Sequence, residues 1–230
     1  MAPFDGWLLR RSAFFGRVGV IGAGLITAAF GVWVLAFERS AAQVRSDINA
    51  ARGELQADKV DVLLAQVARW TSDPFLPARV ASLKLDVLVS SPNADLQETQ
   101  ASLINLVEHK PAFAQAWQSL ASVSLLGGGS LEAVLPYTRF SRLVGPNQGP
   151  VMMQRAVMGL ENWDHLPAQD RPWLIREIVK TTNSDVEGFQ VILYRDAIAK
   201  LTKSSSDEVR AALRAYGPDG EMALRRLGSG

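Results

Sequence analysis

The sequence predicts an all-α protein: one apolar helix near the N-terminus, then a body of stacked helix pairs. Three observations carry this. Val18 to Phe37, VGVIGAGLITAAFGVWVLAF, is a run of twenty residues without a charge. Beyond Pro77, apolar residues recur three and four apart, the spacing that puts them on one face of a helix. Proline and glycine signals cut that pattern at short intervals, and no segment alternates with the period of two that a half-buried strand needs.

The apolar run is long enough to matter. At ~1.5 Å per residue it makes a helix about 30 Å long, the hydrocarbon thickness of a bilayer. The expected organisation is a cytoplasmic tail at 1–17, a transmembrane helix at 18–37, a stalk and first helix pair at 38–76, and a helical-repeat domain at 77–230. Two rivals stand beside the span. A buried core helix keeps a polar stripe, which this run lacks. A cleaved signal peptide has a shorter apolar core that ends in small residues. Here the run ends in Phe37-Glu38-Arg39, and Ser40-Ala41-Ala42 lies beyond it.

Flanking arginines set the expected orientation. Arg10, Arg11 and Arg17 precede the run; Arg39, Arg45 and Arg52 follow it. Arg39 sits beside Glu38, and the preceding tail is too short to hold an exported domain, so the tail is expected inside and the body outside. Trp7 and Trp33 fall where indole rings favour the two interfaces. Gly19, Gly22 and Gly24 are ordered G-x-x-G-x-G, which is not the dinucleotide fingerprint. Small residues four apart let a second helix approach closely, so Gly19/Ala23, Gly24/Ala28 and Thr27/Gly31 are a candidate packing face.

Composition narrows the function classes. Formal net charge is +1 with no strongly basic stretch, which argues against nucleic acid as a partner. There are no cysteines, so disulfides, thiolate catalysis and cysteine-ligated zinc are excluded. No cofactor motif appears: Gly127-Gly128-Gly129 lacks the Lys-Ser/Thr that follows a phosphate loop.

The body reads as successive helices. Val44, Ile48, Ala51 and Leu55 share one face. Val60, Leu63, Leu64, Val67 and Trp70 share another behind Asp58, a candidate cap, and Asp73-Pro74 ends that helix. Helices are expected over 77–90, 95–109, 112–126 and 130–144, with Ser130 as a cap and Pro136 distorting the last of them. Met152, Ala156, Leu160 and Trp163 form the face of a helix over 150–163, and Leu174, Ile175, Ile178 and Val179 that of the next. Ser184 with Glu187 and Ser205 with Glu208 read as capping boxes. Behind the first, Val186, Phe189, Leu193, Ala197 and Leu201 recur at helical spacing, and Gly217-Pro218 ends the helix behind the second.

Trp117-x-x-Leu120-Ala121, followed by Ala133, Tyr137 and Pro146, resembles a tetratricopeptide repeat. Pro111 stands one repeat length before Pro146. Ala121 and Ser124 replace the family's Gly-Tyr pair, and bulky Phe140 stands where a small residue is usual. The resemblance implies a solenoid in which Trp117, Leu120, Ala121, Ala133, Tyr137 and Pro146 form a repeat core, with a surface free to bind a partner. The layout is also similar to that of small anchored tetratricopeptide proteins of bacterial envelopes, which implies an inner-membrane location, a periplasmic body and service to envelope-polysaccharide machinery.

No constellation of catalytic residues emerges. His109 and His165 are isolated and lack metal-ligand spacing. Glu161, Asp164 and Asp170 are a candidate carboxylate set for glycan chemistry, although solvated caps explain them as well. The expected function is therefore a membrane-anchored interaction scaffold or assembly factor, not an enzyme, with no cofactor. Its partner is a protein in or at the membrane, and its other contact is the bilayer through 18–37. The alternatives are an accessory subunit of a larger membrane complex and an envelope-glycan enzyme.

Overall fold

A computed structural model describes residues 5–50, 56–71, 76–89, 95–185 and 188–228, with side chains from Ile26 onward save those of 57 and 89. Among the described residues every element is a helix: α1 (Asp5–Ala50), α2 (Ala57–Ala68), α3 (Pro77–Val89), α4 (Leu96–His109), α5 (Ala114–Leu126), α6 (Leu131–Val144), α7 (Gly149–Glu161), α8 (Arg171–Ser184), α9 (Phe189–Ala199), α10 (Lys203–Ala215) and α11 (Pro218–Arg226). Two short 3₁₀ turns, Trp163–His165 and Ala168–Asp170, join α7 to α8. The chain divides into two compact units, one of 1–76 with 86–93 and one of 77–85 with 94–230.

The first unit corrects the expected membrane span. Among the described residues no helix is long and apolar enough to cross a membrane. The expected boundary at Phe37 is no boundary, because α1 continues to Ala50. Phe37 (2% exposed), Ala41 and Val44 are buried, one helical face apart from its neighbours by three or four residues, and α1 packs on α2, whose Val60, Leu63 and Val67 are buried in turn. Trp70 closes the seam, edge-on to Phe37 at 5.3 Å and to Trp33 at 6.1 Å. The end of the apolar run is thus an interface within the protein. The expected inner-membrane location, bilayer contact and periplasmic body lose their basis with the span, and so does a place beside envelope-polysaccharide machinery. Ile26, Val32 and Leu35 are exposed on the same helix. The helix α2 begins behind Gln56, with Asp58 in its first turn and not at its cap.

In the second unit, α7 packs against both α5 and α9, so these three helices form one row, with α4 and α6 against α5 and α8 against α7. The other side of α8 is covered by α10 and α11. One apolar core joins Ala81 of α3 to Leu103, Leu106, Ala116 and Leu120. Ala121, Val134 and Met158 connect α5, α6 and α7. A larger core runs from Leu135 through Leu160, Trp163, Leu174, Ile178 and Tyr194 to Leu213 and Leu224.

Local chemistry explains most boundaries. Asp95 caps α4 by accepting from the backbone N–H of Gln97 and Glu98, and Ser130 caps α6 by accepting from that of Ala133. The helix α6 runs unbroken through Pro136, whose missing N–H faces the carbonyl of Glu132 in the first turn. Two expected capping boxes differ. Ser184 ends α8, and Asp185 instead accepts from the N–H groups of Gly188 and Val191 at the start of α9. Thr202, not Ser205, caps α10. The buried face of α9 is Val191, Tyr194, Ala197 and Ile198, and Phe189 is 57% exposed. Ala51, Leu55, Val186, Glu187, the expected helix end at Asp73-Pro74 and the expected turn at Ser91-Pro92-Asn93 lie outside the described residues. The helix α11 follows Gly217-Pro218, where the sequence reading stopped: proline at its start, Asp219 and Glu221 in its first turn and Arg225 and Arg226 in its last suit the helix dipole.

Candidate functional site

A cleft of about 290 Å³ opens between α6 and α8, beside the α6–α7 loop. Arg142 enters it from α6, Trp173, Arg176 and Lys180 from α8, and Asn147 from the loop. Residues 173, 176 and 180 share a face because they lie three and four apart on one helix. The Arg142 guanidinium lies 5.0 Å from the centre of the Trp173 ring, a cation–π contact. Lys180 Nζ donates to Asn147 Oδ1 at 3.2 Å.

The cleft is held by two ion pairs. Asp170 receives Arg139 through both carboxylate oxygens, at 3.1 and 2.5 Å, and Trp173 Nε1 at 3.1 Å. Burial alone would raise the Asp170 carboxyl; the bonds from Arg139 and Trp173, with the charges of Arg139 and Arg142, outweigh it and hold it below the usual carboxylate range. Behind the cleft, Arg155 of α7 is fully buried and donates to Glu177 Oε1 through Nε and Nη2, to Ser141 Oγ at 3.1 Å and to the Gly145 carbonyl at 3.4 Å. Burial pushes Glu177 up from its ordinary value, against the pull of Arg155. These two pairs consume the acids around the cleft. Among the described residues Arg142, Arg176 and Lys180 form no ion pair; Arg142 and Lys180 act on Glu177 only at longer range, and the cations around the cleft outnumber its two acids.

No family model, curated protein or solved structure matches the chain.

The residues of the expected repeat core fall into three groups. Leu120 and Ala121 are buried in α5. Trp117 and Tyr137 are half-buried and stack at 6.1 Å; Trp117 also meets Phe140 at 4.7 Å and donates Nε1 to the Pro111 carbonyl at 2.7 Å. Ala133 and Pro146 are exposed. The closest approach of α5 to the end of α6 instead uses Ala114 and Gly145: a Cβ on Gly145 would stand 2.4 Å from Ala114 Cβ, and Ser141 Oγ donates to the Ala114 carbonyl. Of the candidate helix-packing face, Gly19, Ala23 and Gly24 lie outside the residues whose side chains are described. Thr27 and Ala28 are exposed, and a Cβ on Gly31 would meet nothing within 4 Å.

The candidate acids do not converge. Glu161 lies 4.0 Å from Lys200, Asp164 accepts from Ser205 Oγ, and Asp170 faces Arg139. His109 Nδ1 bonds the Asn105 carbonyl at the end of α4, and His165 is exposed in a 3₁₀ turn. Among the described residues no three His or acidic side chains cluster as a metal site would require. The sequence reading passed over Arg155 and Glu177. Their signal was a charge in phase with an apolar face: Arg155 between Met152 and Ala156, Glu177 between Leu174 and Ile178.

Proposed function

We propose that this protein is an interaction scaffold, built on tetratricopeptide-like helix pairs, that holds a partner protein and performs no chemistry of its own. The observation that carries this reading is the α6–α8 cleft. It is a shaped, polar surface with an indole wall, on which Arg142 lies over Trp173 and Lys180 bonds Asn147 rather than a carboxylate. It holds no nucleophile beside a base, and its acids are engaged with arginines. Such a site suits recognition better than catalysis, since a general acid or base must be free to exchange its proton. The row of α5, α7 and α9 supplies the rigid support that a binding surface needs.

A photo-crosslinking amino acid placed in turn at Leu126, Leu143, Lys180 and Phe189, all exposed, tests this in the native cell. The expected result is an adduct of one defined mass from at least one position, whose second component is the same protein in repeated isolations. No adduct from any position, with the folded protein recovered free, overturns the scaffold reading.

A further inference from the structure

We infer that the α6–α8 cleft takes an acidic segment of a protein partner, with its carboxylates on Arg142, Arg176 and Lys180 and its side-chain methylenes against Trp173. This rests on the scaffold reading and names the chemistry of what is held. Three features select the ligand. The charge is local: with a net charge of +1 the chain has no general attraction for anions, yet three cations converge here while the nearby acids, Asp170 and Glu177, are neutralised by Arg139 and Arg155. Opposite potentials across an interface steer association and fix register.

The cations are also spread over two helices. Arg176 and Lys180 are one helical turn apart on α8 and exposed, and Arg142 lines the same cleft from α6. Cations so placed match successive carboxylates along a chain better than they enclose one small ion. Finally, the cleft has a flat apolar wall. Trp173 is tethered through Nε1 to Asp170 and covered on one side by Arg142, which holds the indole in place for the CH₂ groups of Glu or Asp side chains. Arginine adds planar, paired donors suited to a carboxylate.

The test uses the full chain and a fluorescein-labelled peptide of about eight residues of glutamate and alanine, with the glutamine–alanine peptide as its neutral counterpart; binding is read by anisotropy at low salt, where exposed charges are least screened. The glutamate peptide is expected to bind and the glutamine peptide not. Arg176→Gln/Lys180→Gln is expected to weaken binding by about tenfold or more, the factor that corresponds to ~1.4 kcal/mol. Arg142→Gln is expected to weaken it in the same direction. Arg214→Gln/Arg225→Gln removes the same two charges from exposed positions elsewhere and is expected to leave binding within about twofold, since surface changes away from a site act weakly. All these side chains are outside the core, and unchanged helical circular dichroism certifies each variant.

Equal weakening by both double variants, equal binding of the glutamine peptide, or no binding at all overturns the inference. So does full displacement of the peptide by inorganic phosphate alone at matched ionic strength, which would mark a small-oxyanion site. If the peptide fails while crosslinked adducts form at Leu126 or Phe189, the acidic-segment inference falls and the scaffold reading stands. If no adduct forms anywhere, the scaffold reading falls whatever the peptide does.

Discussion

Arg155 and Glu177 form a buried ion pair in which two guanidinium donors converge on one carboxylate oxygen, Nε at 2.8 Å and Nη2 at 2.5 Å from Oε1, while Glu177 Oε2 has no hydrogen-bond partner. The pair ties α7 to α8, and the remaining bonds of Arg155, to Ser141 and the Gly145 carbonyl, tie both to the end of α6. It therefore fixes the three elements that shape the cationic cleft. A buried pair is poor evidence of net stability, because desolvation offsets its attraction. Removing one member is another matter.

Arg155→Met should strand the Glu177 carboxylate in the core and destabilise the protein by about 3–5 kcal/mol. Arg155→Met/Glu177→Leu leaves no buried charge and should be more stable than Arg155→Met alone. Urea unfolding of the two variants decides this. A double variant less stable than the single would mean that the stranded carboxylate carries no such cost.

Asp170 and Glu177 should pull stability in opposite directions with pH. The Asp170 carboxyl is held below its ordinary value, so its contribution is fully present above an unfolded pKa of about 3.9 and is lost as pH falls through the lower folded value. Asp170→Asn should therefore be less stable than wild type near pH 7, with the gap closing as pH falls through the lowered folded value. Glu177 is raised by burial, so its contribution is present below the unfolded pKa of about 4.3 and is lost as pH rises through the higher folded value. Glu177→Gln should flatten the part of the stability profile just above about pH 4.3. Denaturant midpoints across the acid range read both, and a constant gap between Asp170→Asn and wild type would refute the first.

Glycine substitutions should separate tight from open positions within the second unit. In Gly220 a Cβ would stand 1.9 Å from the Leu213 carbonyl oxygen, backbone that cannot swing aside. In Gly149, at the start of α7, a Cβ would meet nothing within 4 Å. Gly220→Ala should thus lower stability by about 1–3 kcal/mol, as overpacking does. Gly149→Ala should be neutral or raise it by up to about 1 kcal/mol, since alanine is the better helix former. Thermal unfolding of the pair tests the contrast; equal melting temperatures would contradict it.

How much of this was legible in the sequence follows from the range of each signal. Helices and their buried faces were readable wherever the period of three and four persisted, as at Met152, Ala156 and Leu160, all buried in α7. The cap at Ser130 was readable too. At Ser184 the local signature misled, because the neighbouring carboxylate of Asp185 reaches two N–H groups of α9 and a single hydroxyl does not. The apolar run at 18–37 misled for a related reason. Hydropathy cannot tell an apolar face that meets lipid from one that meets Trp70, and Phe37 meets Trp70. The cleft was not legible at all, since Arg142 and Arg176 come to line one cleft only when α6 and α8 are placed on either side of it.

The seam between α1 and α2 gives the last prediction. Phe37 is 2% exposed and touches Trp70 edge-on, while Val44 on the next turn but one is fully buried. If this face is an interface within the protein, its largest side chain should hold α2 in place. Phe37→Ala removes a large aromatic from a packed site, a change that typically costs about 3–5 kcal/mol. A two-helix seam has little else to compensate, so the loss should appear as local opening of α2 rather than as global unfolding. Hydrogen exchange of the Val60, Leu63 and Val67 amides should accelerate by about a hundredfold or more, as ~1.4 kcal/mol of lost protection is a factor of ten, while the amides of α7 and α8 keep their wild-type rates. Leu35→Ala is the matched control, because Leu35 is 69% exposed on the same helix; it should leave α2 exchange unchanged. Equal exchange in the two variants would mean that the seam does not hold α2, and Phe37 would then have no more claim to an interface than Leu35.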